Sequence, residues 1–229
     1  MRIGISDIRI FLPLNYLDFS VLLENPLYYS NEVFFKKINR AIDATLQKGF
    51  RFTSPNEDSV TMASSAVKLI FDNNNLDLSK IRILLGGTET GVDHSKAISS
   101  YVFGALKQSG ICLGNNFLTF QVQHACAGAA MSLHTVASVL SHSNNSEYGI
   151  VFSSDIAHYS NLTTAEITQG AGATAILIEK IQSYFRSIYL NLEFIPMMLT
   201  IFLGLLEVLR LRCEVSIQLN VTIMQTKML

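Results

Sequence analysis

The spacing of apolar residues changes period several times along the chain. Residues 2–12 alternate apolar and polar positions, as a half-buried strand does. Residues 38–48 (INRAIDATLQK) repeat apolar positions at helical spacing and predict a helix that stops at Gly49. Residues 57–73 predict a second helix. Glu57 and Asp58 fall in its first turn, where the helix dipole favours negative charge, and an asparagine run ends it. A short apolar strand over 81–86 feeds the polar stretch GTETGVDHSK, and a helix follows to about Gln108. Residues 117–123 (FLTFQVQ) alternate and are rich in β-formers. They run into Ala125-Cys126 and then a small-residue helix, AGAAMSLHTVASVL. Residues 148–154 predict a strand ending at Asp155, and residues 173–179 predict the last one.

Strands and helices therefore alternate through residue 179, which predicts an α/β fold: a mostly parallel five-stranded sheet flanked by helices. In such sheets chemistry gathers at the carboxyl ends of the strands. Glu89, Cys126 and Asp155 each fall just after a predicted strand, so the topology directs three reactive side chains to one sheet edge.

The rhythm stops after Lys180. Residues 181–229 are rich in Leu, Ile, Met and Phe and hold almost no Gly, Ala or Asp. The uncharged run between Glu193 and Glu207 is 13 residues long and contains Pro196; a bilayer span needs about 20. The preferred reading is an atypical tail that continues out of frame, with residues 1–180 as the native domain. A membrane helix is the less favoured reading.

Composition narrows the class. Of 229 residues 49% are hydrophobic and 15% charged, which favours a substantial core over disorder. A formal net charge of -1 argues against a nucleic-acid surface. The three cysteines, Cys112, Cys126 and Cys213, share no metal-ligand spacing and are odd in number, so a reduced cytoplasmic setting fits better than a disulfide framework. The N-terminus reads as a strand, not as a signal peptide.

Cys126 lies at a strand-to-helix junction, where free backbone N–H groups and the helix dipole stabilise a thiolate. Position alone leaves two readings open, an activated nucleophile or a buried structural cysteine. Cys112 and Cys213 lack such a setting. Glu89 is either a general base tuned by burial or a solvated loop acid. The five histidines (His94, His124, His134, His142 and His158) show no metal spacing, and His134 reads as a surface or packing residue. The run TQGAGATA leads into a strand and not a helix, so it is no phosphate loop.

These residues also carry a family signature. Gly87-Thr88-Glu89-Thr90-Gly91-Val92-Asp93-His94-Ser95-Lys96 resembles the GTE(S/T)G(I/V)DxSK segment of hydroxymethylglutaryl-CoA (HMG-CoA) synthases, which are thiolase-fold condensing enzymes. Ala125-Cys126-Ala127-Gly128-Ala129 resembles their nucleophile motif, Ser154–Tyr159 their SDIAxY, Thr168–Ala173 their PTQGAGA, and Glu57-Asp58 an early acidic pair. The resemblance implies a thiolase-like half and a mechanism. Cys126 takes the acetyl group from acetyl-CoA, Glu89 removes a methyl proton, and Asp155 orients and polarises the acetyl group. The carbanion then attacks acetoacetyl-CoA, and hydrolysis releases HMG-CoA. It further implies the mevalonate route of isoprenoid synthesis, acyl-CoA substrates with no cofactor or metal, and a homodimer.

Two positions depart from the family pattern: Ala127 stands where the family has Tyr, and Ile167 where it has Pro. ACAG also resembles 3-oxoacyl-acyl-carrier-protein synthase III, the runner-up, but those enzymes lack the catalytic Glu and the GTETGVDHSK run. A non-catalytic truncated remnant is a further alternative. The family's catalytic His comes from its second half, and no histidine follows His158 here. The resemblance thus implies the N-terminal half of the enzyme, with impaired or no activity by itself.

Overall fold

A computed structural model describes residues 2–181 apart from Asn115, Asn144 and Asn145. Cys213, the apolar tail and both readings of it lie outside the described residues. The chain opens with β1 (Arg2–Phe11). A hairpin-like pair, β2 (Asn15–Asp18) and β3 (Gly49–Phe52), encloses three helices, α1 (Phe19–Leu23), α2 (Pro26–Tyr29) and α3 (Glu32–Thr45). The remainder runs α4 (Ser59–Asn73), β4 (Ile81–Gly87), α5 (Ile98–Gln108), β5 (Leu118–Val122), α6 (Gly128–Ser141), β6 (Tyr148–Ala157) and β7 (Gly170–Ile181).

The main sheet has five strands in the order β1-β7-β6-β4-β5. β4 pairs parallel with both β5 and β6, while β7 pairs antiparallel with β6 and with β1. Four strands therefore point one way and β7 alone is reversed. β4 is buried along nearly its whole length and β6 from Gly149 to Ser154, and the apolar cluster in each follows from helices on both faces. Met62, Ala66 and Ile70 of α4 and Val102 and Leu106 of α5 pack with Leu84, Ile150 and Phe152 on one face. On the other, α6 lies over β4 and β6, where the Gly149 backbone faces Val136, Leu140 and Ile83.

Several boundaries differ from the sequence expectation, each for a local reason. α3 begins at Glu32, not residue 38, because the Asn31 side chain accepts from the Phe34 N–H and caps it. It ends at Thr45, before Gly49, because Leu46 itself turns left-handed at φ 56°. α4 begins after Asp58: that residue is the N-cap of a capping box with Thr61, and Glu57 instead accepts from the Ser54 N–H. β6 runs to Ala157, so Asp155 lies inside a strand and not after one. The glycine-rich run from Gly170 is itself the start of β7 and pairs with that extension, Asp155 opposite Gly172.

The α1–α3 unit has its own small core of Phe19, Leu22, Tyr28 and Ile38 around Ile167. The buried Tyr28 hydroxyl donates to Glu166 Oε1 at 2.6 Å, and Glu166 Oε2 accepts from the Leu162 N–H at 2.8 Å. Burial, reinforced by that carboxylate, pushes the Tyr28 hydroxyl well above the usual phenol range. This pair anchors the helical unit to the loop between β6 and β7. No helix among the described residues is long and apolar enough to cross a membrane.

Candidate active site

Two glycines bring the candidate nucleophile's helix onto the strand that leads to Glu89. A Cβ on Gly87, the last residue of β4, would stand 2.3 Å from the Ala129 nitrogen and 2.6 Å from the Gly128 carbonyl carbon. A Cβ on Gly128 would stand 2.7 Å from the Val122 carbonyl oxygen and 3.5 Å from the Gly87 Cα. The first turn of α6 is thus seated directly on the carboxyl ends of β4 and β5. Cys126 precedes Gly128 by two residues, and Glu89 follows Gly87 by two, so the family-like motifs GTET and ACAGA meet through their glycines.

Cys126 is a half-buried free thiol. The residue before it, Ala125, has φ 40°, a left-handed conformation that costs an L-residue roughly 1–2 kcal/mol. That kink turns the chain from β5 into α6. The helix's N-cap, Ala127, supplies no side-chain hydrogen bond, so the dipole end beside Cys126 is not occupied by a capping carboxylate or hydroxyl.

Asp155 and Glu89 are in direct contact, although not through both carboxylates. Asp155 Oδ1 accepts from the Glu89 N–H at 2.9 Å, the Thr90 N–H at 3.1 Å, the Thr90 hydroxyl at 2.9 Å and the Thr88 hydroxyl at 2.8 Å. Its other oxygen, Oδ2, is buried without a partner among the described residues. Burial pushes the Asp155 carboxyl above its usual range, against the hydrogen bonds from Glu89, Thr88 and Thr90 that pull it down. Glu89 itself is exposed among the described residues.

Sequence reasoning passed over the groups that organise this edge. The Thr88 hydroxyl has Ser154 O and Asp155 Oδ1 both at 2.8 Å, and its one proton serves one of them at a time. Ser59, buried at the start of α4, donates to the Thr90 carbonyl at 3.1 Å. Gln121 of β5 accepts from the Ile98 N–H at 2.9 Å and so caps α5, whose own N-cap Ala97 has no side-chain bond. The signal available was the pair of hydroxyls flanking the acid in Thr88-Glu89-Thr90, a spacing that suits turn-forming side-chain bonds.

Asp93 closes the polar loop after β4. It accepts from the Ser95 N–H at 2.7 Å, the Lys96 N–H at 3.2 Å and the Tyr101 hydroxyl at 2.7 Å. The Ser95 N–H, then the Tyr101 hydroxyl and the Lys96 N–H, pull its carboxyl down to about 2. The folded chain therefore binds this proton less tightly than the unfolded chain. Asp93 contributes stability above the ordinary carboxylate range and loses that contribution as pH falls toward about 2. Asp93→Asn is expected to lower the urea midpoint at pH 6, and the gap to wild type should close as pH falls from about 4 to about 2. A gap independent of pH would assign the loss to geometry and not to charge.

His124 and His158 are exposed near this edge, and His134 is exposed on α6. No group of three or more His, Cys, Asp and Glu among the described residues is arranged to hold a metal ion. Cys112 is exposed and unpaired among the described residues.

Comparison with known proteins identifies the family. The family model described as hydroxymethylglutaryl-coenzyme A synthase N terminal matches residues 1–181. The chain belongs to the HMG-CoA synthase family. It is 29% identical over 178 residues to the HMG-CoA synthase of Caenorhabditis elegans, covering 77% of this chain and 36% of that protein. It is 28% identical to the Enterococcus faecalis enzyme, covering 78% and 42%. A solved complex of MvaS with 3-hydroxy-3-methylglutaryl coenzyme A superposes with a TM-score of 0.66 at 31% identity, covering 78% of this chain and 40% of that one. The fold is thus the thiolase-like half of an HMG-CoA synthase, and the acyl-carrier-protein synthase alternative is not favoured. The match spans 36% and 42% of the length of these two relatives.

Proposed function

We propose that the edge formed by β4, β5 and β6 is the acyl-transfer half of an HMG-CoA synthase site. Cys126 Sγ attacks the thioester carbon of acetyl-CoA. A carbon–sulfur bond forms to Cys126 as the bond to coenzyme A breaks, and the coenzyme leaves as its thiol. Glu89 then takes a methyl proton from the acetyl group, and the resulting carbanion equivalent adds to the ketone of acetoacetyl-CoA. Hydrolysis of the thioester frees HMG-CoA and restores Cys126. Asp155 completes the set, and the reaction needs no cofactor or metal.

The observation that supports this reading is the seating of the first turn of α6 on Gly87, two residues before Glu89, with Cys126 two residues before Gly128 at the N-terminal end of that helix. The reading extends to acyl-CoA substrates, a place in isoprenoid synthesis by the mevalonate route, a cytoplasmic setting and a homodimer. Acetylation of Cys126 is the first step of this reaction and the one to test first.

Purified protein incubated with acetyl-labelled acetyl-CoA is expected to carry label on the Cys126 peptide, located by mass spectrometry. Cys126→Ser should reduce labelling by at least ~10²-fold, whereas Glu89→Ala should leave it unchanged. Equal labelling of wild type and Cys126→Ser would falsify the assignment of the nucleophile, and loss of labelling in Glu89→Ala would contradict its assignment as base.

A further inference from the structure

The ladders that hold β4 stop at Gly87, opposite Ser153 of β6 and Val122 of β5. Glu89 lies beyond both ladders. Past their end, one weak backbone bond remains to β5, from the Thr88 N–H to Val122 O at 3.4 Å. The bonds to β6 are made through side chains. Asp155 reaches across and takes the N–H groups of Glu89 and Thr90 on a single oxygen. The Thr90 hydroxyl donates to that same oxygen and accepts from the Ile156 N–H at 3.0 Å, so it spans from the turn to the β6 backbone. Thr88 Oγ1 also accepts from the Thr90 N–H at 3.1 Å, and Ser59 holds the Thr90 carbonyl from α4. Two elements, β6 and α4, converge on one threonine next to the candidate base.

We infer that Thr90 is a positioning residue for Glu89: its hydroxyl, with Asp155 and Thr88, ties the turn to β6 and fixes where the Glu89 carboxylate stands. This inference rests on the reading of Glu89 as the base. It also gives Asp155 a second task, because Oδ1 is occupied by the turn, while Oδ2 is buried and without a partner among the described residues. The tether is made of hydroxyl and amide bonds to a carboxylate, each of the stronger charge-assisted kind when Asp155 is ionised. Thr90→Val keeps the side chain's shape and removes both bonds of its hydroxyl; Thr90→Ser keeps both.

The test is amide hydrogen exchange by NMR on the full chain. Thr90→Val is expected to speed exchange at Glu89, Thr90 and Ile156 about tenfold, with Leu84 and Leu85 of β4 unchanged. Thr90→Ser should match wild type. Asp155→Asn, which removes the charge at constant size, should speed Glu89 and Thr90 as well and serves if the valine variant does not fold. Unchanged exchange at Glu89 in these variants overturns the inference, as does an equal rise at all amides.

A second readout follows loss of deuterium from a trideuterated acetyl group carried on Cys126. Thr90→Val should slow this wash-out about tenfold or more without lowering the amount of acetyl-enzyme. Equal wash-out in Thr90→Val and wild type also overturns the inference. A wild-type chain that takes up no acetyl group counts against the Cys126 assignment instead, and the amide exchange then decides the tether alone.

Discussion

Gly87→Ala is expected to destabilise the chain by about 3 kcal/mol or more, with a melting midpoint lower by roughly 10 °C. The added methyl would stand 2.3 Å from a backbone nitrogen and 2.6 Å from two backbone carbons of α6. A side chain in that place can rotate away, but helical backbone cannot. Relief therefore requires α6 to lift off the sheet, which uncovers Leu133, Val136 and Leu140, all nearly inaccessible to solvent. Against a typical total stability of 5–15 kcal/mol this is a large fraction. Gly104→Ala supplies the control: it lies within α5, a Cβ there meets nothing within 4 Å, and alanine should raise stability by about 0.5–1 kcal/mol. Urea unfolding followed by circular dichroism measures both. Equal midpoints for the two variants would show that α6 adjusts freely to the strand.

Phe152→Ala should cost about 3–5 kcal/mol. Phe152 is fully buried in β6, and its ring fills the space left open by Gly86 of β4, beside Ile98 at the start of α5. A Cβ on Gly86 would lie 2.6 Å from the Phe152 Cζ, so Gly86→Ala alone should also destabilise. The two changes together should cost at least about 1 kcal/mol less than their sum, because the alanine methyl enters the cavity that the lost ring leaves. Strict additivity in the double-mutant cycle would mean the ring and the glycine are not packing partners. The same cavity lies at the origin of α5, so the polar loop that closes on Asp93 should also show faster amide exchange in Phe152→Ala.

The central strands were readable because both of their faces are buried. The runs 81–86 and 148–154 carry the apolar clusters Ile83-Leu84-Leu85 and Ile150-Val151-Phe152, each too short to register as a helix. The strand-to-helix junction that carries Cys126 was readable for a related reason: a β-rich run meets a small-residue helix with only a few residues between. The region from Pro13 to Phe52 was largely unreadable. Its elements α1, α2, β2 and β3 are four or five residues long, too short for a period to register, and their ends are set by Asp18 and Asn25 accepting from N–H groups two residues on. The last strand was expected from residue 173, whereas β7 begins at Gly170 and its glycines pair in register with Asp155 and its neighbours. That pairing extends β6 as well, so Asp155 lies within its strand. Thr88 and Thr90 were invisible as tethers because their partner lies 65 to 67 positions away in the chain.

Asp155 grips the backbone amide of Glu89 and not its carboxylate, which takes no hydrogen bond or ion pair among the described residues. Any side chain other than proline leaves that amide in place. Position 89 can therefore be rewritten without disturbing the scaffold that presents it, which makes it suited to chemical replacement: a histidine, a cysteine or a shortened aspartate there would inherit the same mounting. The surrounding glycines and threonines offer no such freedom. A catalogue of substitutions along Gly87–Thr90 should accordingly divide sharply, with changes at position 89 leaving solubility constant and changes at its neighbours lowering yield.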